Sequence, residues 1–271
     1  MSRKTFLIDA HVHLYPQYDL ARAYRLGTQN LLNAFRKCHH AEPEQAVLFW
    51  LLTERADCDI RGALLTDPDR LGEDVLIHAT GKGGAVRVKQ DGTPDLYILP
   101  GRQAVSSEGL EILALCTDAR FRDRVLCTSD LIIAVREAGG IPVLNWAPGK
   151  WFSSRGRIVQ NLIDETDGPP GFLVGDTPLR HVLWPRPALM RAALKKGFRV
   201  IAGSDPLPFP GEERMIGSYG VAAEGMFDAS EPAASLKTLL FRDPGPPPRV
   251  IGWRNDPLTF AWREWRILKA K

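Results

Sequence analysis

The apolar residues Phe6, Leu7, Ile8, Ala10, Val12 and Leu14 form a run that Pro16 stops, which predicts a buried strand at the start of the chain. From 19 to 38 the apolar positions Leu20, Ala23, Tyr24, Leu31, Leu32 and Phe35 fall at roughly helical spacing, and Gly27 predicts a break or kink. The run 46–53 (AVLFWLLT) is apolar throughout, as expected of a strand covered on both faces, and it ends in Thr53, Glu54 and Arg55. Short β runs follow at 75–79, 85–89 and 96–99, with a turn at 81–84 and a hairpin turn at Asp91-Gly92. Further β runs are expected at 100–105 and 110–115, and 118–125 reads as a loop or short helix. Thr128 or Ser129 can cap a helix to Ala138, which Gly139-Gly140 ends. Strands at 141–144, 172–174 and 199–202 then alternate with helices at 155–165 and 187–196, the latter with Pro at its start, and a last helix spans about 233–241.

Strand and helix alternating in this way predict a parallel sheet with helices outside. About seven such units in one α/β domain suit a distorted (β/α)7-type barrel better than an open sheet. The expected domain is 1–243. Residues 244–271 read as a Pro-rich spacer and a basic aromatic segment. That segment is expected to pack on the barrel or on a partner chain, including a second copy; a basic amphipathic helix could instead lie on a membrane surface.

Composition narrows this little. The chain has 271 residues, long enough for a sizeable core, with 44% hydrophobic and 25% charged residues. A net charge of +3 is no nucleic-acid signature but is compatible with a small anionic substrate. The four cysteines (Cys38, Cys58, Cys116, Cys127) are scattered and read as reduced thiols. With no apolar run of roughly 18 residues and no leader-type opening, a cytoplasmic protein without a transmembrane segment is expected.

The chemistry is expected at strand ends, because barrels of this type place it at the carboxyl ends of their strands. His11 and His13 close the first strand, and residues two apart in a strand point to one side. Two imidazoles so placed suit one divalent cation. A carboxylate, Asp205, stands at a later strand end. His39 and His40 leave a helix side by side and read as solvated. Gly81-Lys82-Gly83-Gly84 lacks phosphate-loop spacing and reads as a turn.

Taken together, the strand-end residues resemble the PHP (polymerase and histidinol phosphatase) family of metal-dependent phosphoesterases. IDAHVHLY resembles that family's opening HxH, and LLTER its second strand end. ILPGRQAVSSEGLEILAL resembles its Pro-Gly-x-Glu strand and the strand after it. GGIPVLNW resembles the strand that ends in His-Pro, and VIAGSDPL the one that ends in Asp-x-His. The resemblance implies a first metal position at His11, His13 and Asp205. It also shows what is rewritten: Arg55, Glu111, Asn145 and Leu207 stand where histidines are expected, and Gln103 where a bridging glutamate is. The implied site holds one divalent ion (zinc, manganese or iron) at most. Two imidazoles and a carboxylate suit a catalytic ion with an open position.

Glu111 could be a fourth ligand or the base that takes a proton from water. Gln103 is a weaker, neutral donor. Asp9 could support a ligand or be one. Arg55 is read as a fixed positive charge in the mouth, with Lys150, Arg155, Arg157 and Arg214 as further anion-binding candidates beside Gln103 and Asn145. The loop 206–219 could lie over the mouth. Trp146, Trp151 and Trp184 could line a pocket or simply pack. The leading expectation is a metal-dependent hydrolase acting on a small anionic, plausibly phosphorylated substrate. The first alternative is a non-catalytic PHP-fold binding protein that has lost its cluster. The second is an amidohydrolase-like enzyme, which would want further strand-end histidines where only His78 and His181 are spare.

Overall fold

The computed structural model describes residues 1–55, 58–80, 84–165, 171–241 and 245–269. The glycine turn at 81–83, the expected domain boundary at 243–244 and residues 270–271 lie outside these. In chain order the elements are β1 (Ser2–Val12), α1 (Leu20–His39), β2 (Ala46–Leu52), α2 (Ile60–Thr66), β3 (Leu76–Thr80), β4 (Ala85–Lys89), β5 (Leu96–Leu99), β6 (Gly101–Val105) and β7 (Glu111–Leu115). There follow α3 (Thr128–Glu137), β8 (Ile141–Asn145), α4 (Ser153–Asp164), β9 (Leu173–Asp176), α5 (Ala188–Lys195), β10 (Val200–Ala202), β11 (Tyr219–Phe227), α6 (Pro232–Phe241), β12 (Arg249–Gly252) and α7 (Pro257–Lys269).

The strands form two mixed sheets and not the expected (β/α)7 barrel. One has seven strands in the order β12-β11-β1-β2-β5-β4-β3, the other five in the order β10-β9-β8-β7-β6. The parallel pairs are β1–β2, β2–β5, β8–β9 and β9–β10. Two of the antiparallel pairs have a local cause. The Asp91-Gly92 turn folds β5 back on β4, and the turn at Ser106–Gly109 folds β7 on β6, with Val105 opposite Glu111. No crossover helix intervenes at these turns, so parallel pairing is impossible there. β11 and β12, absent from the sequence expectation, pair antiparallel on the free edge of β1.

The two sheets meet at strand ends. Glu54 bridges to Arg102, and the Asp205 N–H donates to the His11 carbonyl at 2.9 Å. A glycine sits at each meeting point. A Cβ on Gly101 would fall 2.2 Å from the Leu52 carbonyl oxygen, and one on Gly203 2.2 Å from the His11 nitrogen. Only a residue without a side chain allows such an approach.

β1 is the wall that two of the three apolar clusters share. Phe6, Ile8 and Ala10 face a core with Phe49, Tyr97 and Phe227, while Leu7, Val12 and Leu14 face one with α1 and Trp50. Phe6 stacks on Phe49 (5.4 Å) and meets Phe227 edge-on (5.7 Å). A buried side chain of this size contributes about 1.5–3 kcal/mol. The register against β2 slips between Asp9, opposite Trp50, and Val12, opposite Leu52. That is one extra residue in β1, a bulge that re-aims the strand end carrying the histidines.

Helix α1 runs unbroken, starting on the Asp19 carboxylate, which accepts the Arg22 N–H. Gly27 is therefore no kink but a contact surface where Trp50 and Ile216 press on the helix. Cys127, and not Thr128 or Ser129, occupies the cap position of α3, whose first N–H is taken by the Glu108 carboxylate. Helix α7 sends Arg263 into the interior (1% exposed) and leaves Leu258, Trp262, Trp265 and Leu268 exposed. No helix among the described residues is long and apolar enough to cross a membrane.

Candidate metal centre

The bulged end of β1 brings the imidazole Nε2 atoms of His11 and His13 to 3.0 Å of each other. The loop after β10 sets an Asp205 carboxylate oxygen 3.5 Å from the first and 3.7 Å from the second. Four donors around a tetrahedral ion with bonds of about 2.0–2.1 Å stand roughly 3.3 Å apart. The three distances scatter about that value, and both histidines are buried. The donor set thus fits one divalent ion, and it is the only group of three or more His, Cys, Asp or Glu with such spacing among the described residues. Gln103 Oε1 lies 3.3 Å from His11 Nε2, the same separation again.

Burial sets the protonation of the imidazoles. It pushes His11 down to about 4, against the favourable charge of Glu111. It pushes His13 down to about 3, helped by His11 and Arg55 and opposed by Asp205. Both rings are neutral near pH 7 and offer lone pairs without first losing a proton. Burial raises the Asp205 carboxyl, while His13 and Arg263 lower it.

Asp9 stands outside the donor triangle. Its carboxylate accepts the Ser204 N–H (2.9 Å) and O–H, the Gly217 N–H (2.7 Å) and the His11 N–H (3.2 Å). It ties β1 to the residue before Asp205 and to the turn that leads into β11. Burial still raises it to about 6, with these hydrogen bonds opposing. Asp205 has φ 47°, a conformation Asp tolerates better than most residues. Arg263 Nη2 donates to the Asp205 carbonyl (2.9 Å) and to Glu212 Oε2 (2.8 Å).

The three donors line a cavity of about 510 Å³ with Tyr15, Arg55, Gln103, Glu111, Asp123 and the loop residues Pro206, Leu207 and Pro208. Glu111 pairs across β7 and β8 with Asn145 (3.4 Å) and lies 3.5 Å from Lys150 Nζ. Arg55, Gln103 and Glu111 thus line the cavity with the histidines, whereas Asn145 and Lys150 stand behind Glu111 and do not line it. Arg155, which donates to the Gly149 carbonyl, and the exposed Arg157 and Arg214 do not line the cavity. Trp146 and Trp151 are packed, the latter donating to the Asn145 carbonyl at 3.0 Å. His78 is exposed on β3, and His181 packs against Trp184 and Phe260; neither lines the cavity. The roles of Ser204, Glu212, Gly217 and Arg263 rest on partners far along the chain, which no local pattern carries. The Gly-Ser-Asp run at 203–205 was the available signal for Ser204.

No protein-family model matches the sequence, and no curated protein does. Among solved structures, PsfC from Pseudomonas syringae superposes with a TM-score of 0.54 at 14% identity, over 99% of this chain and 98% of its own. That likeness shows a shared fold. A two-domain protein from Bacteroides vulgatus containing a predicted PHP-like metal-dependent phosphoesterase superposes at 0.47 and 10% identity, over 93% of this chain and 65% of that one. A likeness of that size carries no argument about chemistry.

Proposed function

We propose that the chain binds one divalent metal ion at His11, His13 and Asp205 and hydrolyses a small anionic ester, of phosphoester type, in the cavity above it. The observation that carries this reading is the triangle of two buried Nε2 atoms and one carboxylate oxygen at a cavity that also exposes Arg55. Such an ion, when bound, supplies Lewis acidity toward an anionic oxygen and makes water acidic enough to ionise near neutral pH. The chain's own groups do the rest. Arg55 holds the substrate anion through its guanidinium fork. Glu111, steadied by Asn145 and Lys150, takes a proton from the attacking water. The new bond to the electrophilic centre forms as the bond to the leaving oxygen breaks. The Pro206–Pro208 turn walls the cavity on one side.

A second reading, a non-catalytic binding protein that has lost its metal, has its own support. Neither imidazole Nδ1 has a hydrogen-bond partner among the described residues, whereas a ligating histidine usually donates that N–H to an acceptor.

Elemental analysis of protein purified without chelator or affinity tag tests both. About one ion per chain, lost in His11→Ala and Asp205→Ala, is expected, with hydrolysis of a phosphomonoester or phosphodiester panel falling at least about 100-fold in the same variants. Hydrolysis that survives Asp205→Ala sinks the catalytic reading. An ion bound without turnover overturns hydrolysis alone, and protein that takes up no ion on titration overturns the metal-dependent reading and supports the second.

A further inference from the structure

We infer that Arg263, on the C-terminal helix α7, is a positioning residue for Asp205, and that α7 latches the loop supplying this donor to the metal centre. The latch follows from contacts along the loop 205–212. Arg263 Nη2 donates to the carbonyl of Asp205 and to Glu212 Oε2. Glu212 Oε2 in turn accepts the Leu207 N–H at 3.3 Å, and the Tyr18 O–H donates to the Leu207 carbonyl. The Arg266 guanidinium lies 4.2 Å over the Phe209 ring. One face of α7 thus holds both ends and the middle of the segment.

Arg263 is an expensive way to fill this space. Its Nε and Nη1 have no partner among the described residues, although the side chain is 1% exposed. Buried donors left unmade oppose folding, and an apolar side chain of like volume avoids that cost. The guanidinium therefore acts through the two bonds it does make. One of them ends on the backbone of Asp205, which sits at positive φ with its N–H on the His11 carbonyl. Gripped at N–H and C=O, Asp205 keeps its carboxylate facing the two imidazoles. The part of this inference that concerns metal rests on the proposed function; the part that concerns loop order does not.

Hydrogen exchange on metal-free protein tests the latch itself. Arg263→Met is expected to speed exchange of the amides of 205–213 by about tenfold or more, while those of β1 and β2 stay protected. Trp265→Ala, an exposed position on the same helix, should leave that loop unchanged. Arg263→Lys keeps the cation opposite Glu212 and should recover part of the protection, so the test stands if Arg263→Met folds poorly. Unchanged exchange at 205–213, or equal acceleration throughout the protein, overturns the latch.

Zinc titration against a chelator tests the positioning. Arg263→Met should weaken zinc by about 10–100-fold, the range for residues that orient a ligand. In an Asp205→Asn background it should add less than about twofold. Full additivity in that cycle overturns action through Asp205. Wild-type protein that binds no zinc overturns the metal reading and the positioning role together, while the exchange result still decides the latch.

Discussion

Gln103 Oε1 stands 3.3 Å from His11 Nε2, so an amide oxygen occupies the corner beside two imidazoles and a carboxylate. That one separation matches neighbouring donors on a single ion, but the donor is neutral. Its oxygen competes weakly for a divalent ion, and its cavity shares the anionic Glu111.

Gln103→Glu should therefore tighten divalent-metal binding by about 10–100-fold, since the substitution adds a charge without moving the oxygen. Competition with a fluorescent chelator measures this. Affinity that stays the same would place Gln103 outside the ligand sphere.

Asp9→Ala should destabilise the metal-free protein by about 3 kcal/mol or more, because it leaves the buried donors of Ser204 and Gly217 without an acceptor. Urea denaturation in the presence of chelator reads it. A loss under 1 kcal/mol would mean those donors find other partners, on the scale of an ordinary hydrogen bond at about 1 kcal/mol.

Gly27→Ala separates helix propensity from packing. Alanine favours a helix interior by up to about 1 kcal/mol. Its Cβ, however, would lie 2.5 Å from Trp50 Cζ2 and 2.8 Å from Ile216 Cγ2, both on fully buried side chains. Packing wins, and the variant should lose about 1–3 kcal/mol. A raised thermal midpoint would show that Trp50 and Ile216 can yield.

Glu54 gives the fold a pH dependence of defined sign. Burial raises its carboxyl above the usual 4.5, and the Ile60 and Arg61 N–H groups and Arg102 offset this only in part. The folded protein then holds that proton more tightly than the unfolded chain does. Stability falls as pH rises from 4.5 through the higher folded value, and returns as pH is lowered again. Glu54→Gln should flatten that slope, seen as a wild-type-minus-variant difference in urea midpoint that declines over the window. A difference that is constant with pH would mean the carboxylate ionises in place without penalty.

The strand ends that carry the candidate chemistry were legible because their code is local. The two-residue step from His11 to His13 gives a shared side by strand geometry alone, and the apolar runs at β2 and β8 are continuous. The closed barrel was expected because strand–helix alternation was extended across 75–115. There the hairpin turns, and not crossover helices, set the pairing. β11 reads YGVAAEGMF, with two glycines and two alanines, and is a strand because β1 offers it an edge. Arg263 looks like one more charge on a basic helix. Its burial is decided by Glu212, 51 residues earlier, and no periodicity encodes such a partner. Asp9 was assigned to the ligand face by strict alternation, and its carboxylate turned instead to Ser204 and Gly217, beside the point where β1 carries its bulge.

The place of β1 between β2 and β11 has a consequence for synthesis on the ribosome. β2 emerges soon after β1, but β11 follows about 200 residues later. At about 5–20 residues per second, one edge of an apolar strand waits some 10–40 s for its neighbour. Asp205 emerges near the end of the same interval, so the nascent chain holds its two histidines ready while this edge is open to other chains. Slower elongation lengthens that exposure, and the yield of folded protein should depend on translation speed across 12–219 more than on the stability finally reached.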